Sequence, residues 1–112
     1  MPQDPKQVAA AAAHGFKLFQ CDRCADSVKK ALTAAGLPGE RIELRAKLGA
    51  LFILCMSYDG GKTSITLNGR HVGIRVDNTV FDNLHAGGVP FDDWLKDFLA
   101  PAGVSIVRVD PF

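Results

Sequence analysis

Chemistry on an acyl group needs a nucleophile, a base and a group that orients the base, and this chain carries candidates for all three. Thiols occur at Cys21 and Cys24, in Gln20-Cys21-Asp22-Arg23-Cys24-Ala25, and at Cys55. From Ala25 onward Val28, Ala31, Leu32 and Ala35 recur at helical spacing, while Asp26, Lys29 and Lys30 fall on the other side. With Asp22 as N-cap and Gly36 followed by Pro38 as the stop, Cys24 falls in the first helical turn. Unpaired backbone N–H groups and the positive end of the macrodipole favour an anion there. A thiol whose ordinary pKa is about 8.5 is activated at such a position, so Cys24 is the candidate nucleophile.

The base and its acceptor lie far away in sequence and must be brought up by folding. His71 opens the predicted strand 70–76, with Gly73 leaving its face uncrowded. If Asp77-Asn78 is a two-residue turn, Val76 faces Thr79, Gly73 faces Asp82 and His71 faces Leu84. Asp82 then shares the face of His71, one diagonal step away, and Asn83 points to the opposite face. A three-residue turn would exchange the two. Asp82 is the expected acceptor and Asn83 the fallback. Taken singly, His71 also reads as a surface histidine, and Asp82 and Asn83 as turn residues. His14 reads as a solvated dipole partner at a helix C-terminus, and Cys55 as a small hydrophobe filling the core.

The elements that must position these residues follow from local pattern. Residues 5–14, with Val8 and Ala9 to Ala13, predict a helix stopped at Gly15. Residues 41–45 alternate charged and apolar as a half-buried strand, and the apolar run 51–56 predicts a central strand. After a turn at 59–61, a strand over 63–67 leads into Asn68-Gly69, a hairpin signal, and so pairs with 70–76. A meander continues into 79–83. Pro90 fits the first position of a helix with the apolar stripe Phe91, Trp94, Leu95, Phe98 and Leu99, ended by Pro101. A final strand covers 104–109. Helices segregated from a mainly antiparallel sheet define an α+β fold.

The 112 residues suit one domain over 1–112, with hydrophobic content of 47% and charged content of 22%. Lys and Arg (13) nearly balance Asp and Glu (12), which argues against nucleic acid as a partner and against an anionic membrane. The longest apolar run, 48–56, is too short for a bilayer span. The N-terminus lacks the pattern of a secretory signal, so synthesis in the cytoplasm and export by a dedicated route is the expectation. Three cysteines, an odd number, fit free thiols rather than a disulfide framework.

Cys21-Asp22-Arg23-Cys24-Ala25 resembles the segment that opens the catalytic helix of papain-like cysteine proteases. Asn68-Gly69-Arg70-His71-Val72-Gly73-Ile74, then Val80-Phe81-Asp82-Asn83-Leu84, Gly88 and Trp94 are similar to papain-fold toxin domains of bacterial polymorphic toxin systems. The resemblance covers roughly residues 20–99. It implies a papain-like α+β fold, the catalytic Cys at a helix start, and a triad of Cys24, His71 and Asp82 without a cofactor. The implied activity is peptidase, glutamine deamidase or transglutaminase chemistry on a protein substrate in a target cell, neutralised by a cognate immunity protein. Papain-type enzymes place an oxyanion-hole Gln six residues before the nucleophile, where this chain has Leu18. Gln20 is the nearest substitute, and the backbone N–H of Cys24 is the safer donor.

Three other readings compete. Cys21-x-x-Cys24 has zinc-knuckle spacing, which His71 and His85 would complete, although no second closely spaced pair is present. A thioredoxin-like redox site also opens a helix with this motif, but after a strand, and residues 16–19 are too few for one. The blandest alternative is an inactive interaction domain on a papain-like scaffold, with Cys24 packed in its core.

Overall fold

The computed structural model describes residues 3–112; Met1 and Pro2, which open the segment read for an export signal, lie outside the described residues. Helix α1 (Pro5–Ala13) is capped by Asp4, whose carboxylate accepts from the Lys6 N–H at 2.9 Å. Helix α2 (Cys21–Ala34) follows, then strands β1 (Glu40–Ala46) and β2 (Leu54–Cys55). The chain continues through β3 (Arg70–Val76), β4 (Thr79–Phe81), β5 (Val89–Pro90), the short helix α3 (Phe91–Lys96), β6 (Phe98–Leu99) and β7 (Val104–Pro111). The five-stranded sheet has the order β5-β4-β3-β1-β7 with antiparallel neighbours, and β2 pairs with β6 in a second, two-stranded sheet.

The pleat of β3 sorts its side chains into two cores. Val72, Ile74 and Val76 face α1 and α2 and pack with Ala9, Ala13, Cys24, Val28 and Leu32. The other core gathers Ile42, Leu44, Ile53, Ile65, Val80, Trp94 and Phe98 around the opposite face. His71 and Gly73 belong to that second face, since Leu44 pairs with His71 and Ile42 with Gly73. Gly73 is a packing requirement: a Cβ there would lie 2.8 Å from both Trp94 Cζ2 and Val80 Cγ1. Without a side chain at 73, the indole packs directly against the strand.

Several expected elements are absent. The run 51–56 is a strand only at Leu54–Cys55, with Leu51 and Phe52 exposed and Ile53 buried. Residues 63–67 form no strand, and Asn68-Gly69 makes no hairpin; Thr66 Oγ1 and Asn68 Oδ1 instead accept from the Arg70 N–H and stop the ladder there. The strand β3 pairs with β1 and β4 instead. Gly69 (φ +72) is required by close approach of the Ala50 carbonyl rather than by a tight turn. Helix α3 ends at Lys96, so Phe98 and Leu99, read as part of its stripe, pair with Cys55 and Leu54 as β6. No helix among the described residues is long and apolar enough to cross a membrane.

Candidate active site

The 77–78 turn is a two-residue turn, with Val76 opposite Thr79 and Ile74 opposite Phe81. Continued past Phe81, that register sets Asp82 on the face of His71, and the structure joins them: His71 Nε2 donates to Asp82 Oδ2 at 2.7 Å. Both side chains are buried, at 1% and 0% exposure. Asp82 is the most heavily hydrogen-bonded side chain of the site. Its Oδ2 also accepts from the Trp94 indole N–H at 2.8 Å. Its Oδ1 accepts from the backbone N–H groups of Leu84 and His85 and from His85 Nδ1 at 2.8 Å. Burial alone would raise the carboxyl's pKa; donation from His71 and His85 reverses this and holds it well below the usual carboxylate range. For His71 burial works against the charged ring, but Asp82, with a smaller contribution from Cys21, raises its pKa to about 9.

The thiol near this imidazole is Cys21, not Cys24. Helix α2 starts at Cys21 with Gln20 as its N-cap, two residues earlier than an Asp22 cap would allow. Cys24 therefore continues the inward stripe of Val28 and Leu32, at 0% exposure, and its Sγ faces the Ala13 carbonyl at 3.6 Å. Burial, reinforced by the Asp82 charge, pushes its pKa up to about 12, the reverse of activation. Cys21 is half-buried and lines a cleft of about 220 Å³ with Phe19, Asp22, Ile65, Thr66, Asn68 and Arg70.

Two ties hold the start of α2 against β3. Asp22 accepts from Arg70 at 2.9 Å and from Arg41 at 2.8 Å. Asn83 Nδ2 donates to the Lys17 carbonyl at 2.9 Å, fixing the loop before α2 to the turn after β4. Asn83 thus braces a loop and makes no hydrogen bond to the imidazole ring. Since Nε2 is taken by Asp82, Nδ1 is the ring nitrogen open to a thiol; it is buried and has no formed hydrogen bond. Cys21 contributes to raising the pKa of the ring, although no hydrogen bond is formed to Nδ1.

Gln20 Oε1 accepts from the Lys17 N–H at 2.8 Å, so this side chain closes the loop before α2. The first-turn N–H groups of Cys21, Asp22 and Arg23 have no intrahelical acceptor, and no side chain caps them. They are the donors available to an oxyanion. Phe19, at the rim of the cleft, has a left-handed backbone (φ 68), which is strained for an aromatic residue.

The zinc-knuckle set of Cys21, Cys24, His71 and His85 is not assembled, because Cys24 faces the core and His85 points elsewhere. Among the described residues, the metal-capable group that does assemble is Cys55, His85 and Asp97. The helix α2 follows α1 and a loop rather than a strand, so the thioredoxin arrangement is absent as well.

Helices packed over an antiparallel sheet, with a cysteine at a helix start and a histidine on a central strand, define a papain-like α+β domain of the cysteine-hydrolase type. The family model described as papain fold toxin 2 matches residues 4–99, most of the chain. The chain belongs to this family, and it is a toxin domain on that fold. Neither the curated proteins nor the solved structures offer a match.

Trp94 and His85 are both bonded to Asp82; sequence reasoning gave neither that role, naming His85 only as a ligand in the zinc alternative. Trp94 shows in sequence as a member of an apolar stripe and of the family resemblance, with no role at the site attached to it. Cys21 had one signal: stepping back four residues at a time from Leu32 and Val28 reaches Cys24, which assigns that cysteine to the core and leaves Cys21 for the surface.

Proposed function

We propose that the domain is a cysteine-dependent hydrolase of protein amide bonds, a peptidase or glutamine deamidase, with Cys21 as nucleophile, His71 as base and acid, and Asp82 as the orienting carboxylate. The observation that carries this reading is the His71 ring fixed by Asp82 through Nε2, with its buried Nδ1 unbonded and Cys21, which lines the adjacent cleft, contributing to the raised pKa of the ring. A ring kept charged beside a thiol favours the thiolate. The Cys21 sulfur attacks the amide carbonyl carbon, and the resulting oxyanion faces the free N–H groups of the first turn of α2. His71 donates its Nδ1 proton to the leaving nitrogen as the C–N bond breaks. Water, deprotonated by the same nitrogen, then cleaves the thioester, releasing a carboxylate and restoring the thiol. A glutamine side chain would leave as ammonia and a peptide bond as an amine; an amine in place of water would give transamidation.

The family membership supports delivery into a target cell and an immunity protein that blocks the cleft. The test is expression of the wild type and of Cys21→Ala, Cys24→Ala and His71→Ala variants in a bacterium without an immunity partner. Growth arrest, with protein cleavage or deamidation in the proteome, is expected for wild type and Cys24→Ala only. Arrest by Cys21→Ala as strong as wild type would overturn the assignment.

A further inference from the structure

Beyond the triad lies a second constellation of side chains that the acyl chemistry does not use. His85 Nε2 meets Asp97 Oδ2 at 2.6 Å, and Cys55 Sγ meets the same oxygen at 3.3 Å. One atom from each of the three residues falls within a sphere in which all lie no more than 4.8 Å apart. We propose that Cys55, His85 and Asp97 form a binding site for a zinc-like divalent cation.

The donor set is a thiol, an imidazole and a carboxylate, which suits zinc rather than a hard cation such as magnesium. Each ligand is already oriented by a partner on its far side. His85 Nδ1 donates to Asp82, the carboxylate–histidine arrangement that fixes a metal-binding tautomer and leaves Nε2 for the metal. Asp97 Oδ1 is held by the Ser57 N–H at 3.1 Å, leaving Oδ2 inward. Cys55 is fixed by the pairing of β2 with β6, and the adjacent Met56 N–H donates to the Asp97 carbonyl at 2.8 Å.

Tetrahedral zinc keeps such ligand atoms roughly 3.3–3.6 Å apart. The Cys55–Asp97 spacing already fits, and the His85–Asp97 contact must open by less than about 1 Å. Entry is through the partly open side, where His85 and Asp97 side chains are 7% and 13% exposed. The exchange balances: the cation displaces the Cys55 Sγ proton and the His85 Nε2 proton, both released to solvent, and water takes the fourth position. Because His85 bonds Asp82, the occupied site would be connected to the carboxylate that fixes His71.

The proposal is independent of the acyl chemistry, so its test uses the 112-residue chain carrying Cys21→Ala. Titration with zinc chloride at neutral pH is expected to give one bound ion in the micromolar range or tighter, with about two protons released. Cobalt(II) should show a thiolate-to-metal charge-transfer band. Cys55→Ala should abolish that band, Asp97→Asn should weaken binding at least about tenfold, and Cys24→Ala should change neither. If Cys55→Ala does not fold, the part-exposed Asp97→Asn decides alone. No binding at tens of micromolar, a band that survives Cys55→Ala, or unchanged affinity in Asp97→Asn would overturn the site.

Discussion

Asp82→Asn keeps the shape of the side chain and removes one charge and one acceptor, so its cost can be worked from the contacts. The amide has one oxygen for five donors. With that oxygen toward Leu84 and His85, the two backbone N–H groups and His85 Nδ1 remain paired. The NH₂ group then faces the Trp94 indole N–H and His71 Nε2. The buried indole loses its acceptor, which costs about 1–3 kcal/mol. The lost carboxylate also removes the charge that lifts His71 from 6.5 to about 9, a further 3 kcal/mol or about that near neutral pH. The reverse orientation of the amide is worse, because two backbone donors would meet the NH₂ group. A loss of roughly 5 kcal/mol follows, a large part of the 5–15 kcal/mol typical of a domain. Nε2 must then accept from the amide, moving the ring proton to Nδ1, so His71 no longer serves as a base toward Cys21; the same change in a serine triad costs about 10⁴-fold in turnover. Urea unfolding at low temperature measures the first effect, and growth arrest together with iodoacetamide labelling of Cys21 at pH 7 measures the second. A stability loss under about 1 kcal/mol, with labelling as fast as wild type, would refute this account of Asp82.

Three further outcomes follow from other contacts. His71 has a folded-state pKa raised to about 9 by Asp82 and Cys21, against burial, so its contribution is complete below about 6.5 and disappears as pH rises through 9; stability should fall by on the order of 3 kcal/mol over that window, measured by denaturant unfolding, and His71→Gln should flatten the slope. Cys24→Ala should cost about 1 kcal/mol from its small core cavity and keep toxicity, whereas Cys21→Ala should leave thermal unfolding almost unchanged and remove toxicity; the opposite pattern would return the nucleophile to Cys24. Gly73→Ala should cost about 1–3 kcal/mol, because its methyl group meets Trp94 and Val80, and the displaced indole should show as a shift in tryptophan fluorescence.

Much of the site was legible because it rests on parity and local chemistry. Alternation in β3, a two-residue turn at Asp77-Asn78 and the ladder into β4 are properties of a short segment, and they place His71 and Asp82 on one face without knowledge of the rest. The stripe of Val28 and Leu32 likewise announces α2 and its buried side. The strands expected at 51–56 and 63–67 failed for the opposite reason. Whether an apolar run pairs in a sheet depends on neighbours distant in sequence, and here Ile53 and Ile65 enter the second core from irregular chain while Asn68 and Thr66 bond locally to the start of β3. Phe98 has helical spacing with Trp94, yet its place opposite Cys55 makes it part of β6.

The choice between two cysteines belongs to the tertiary structure. Sequence determines that a thiol opens an amphipathic helix, and three residues separate the candidates, which is about 60° around the axis and about 4.5 Å along it. Asp22 is the cap that residue type favours, yet the helix opens two residues earlier, after a Gln20 whose side chain caps nothing. Docking decides it: Asp22 bonded to Arg70, and Asn83 bonded to the Lys17 carbonyl, hold the helix start beside His71 and turn Cys24 into the hydrocarbon between α1 and α2. Those ties join residues 48 and 66 positions apart, a separation at which periodicity carries no information.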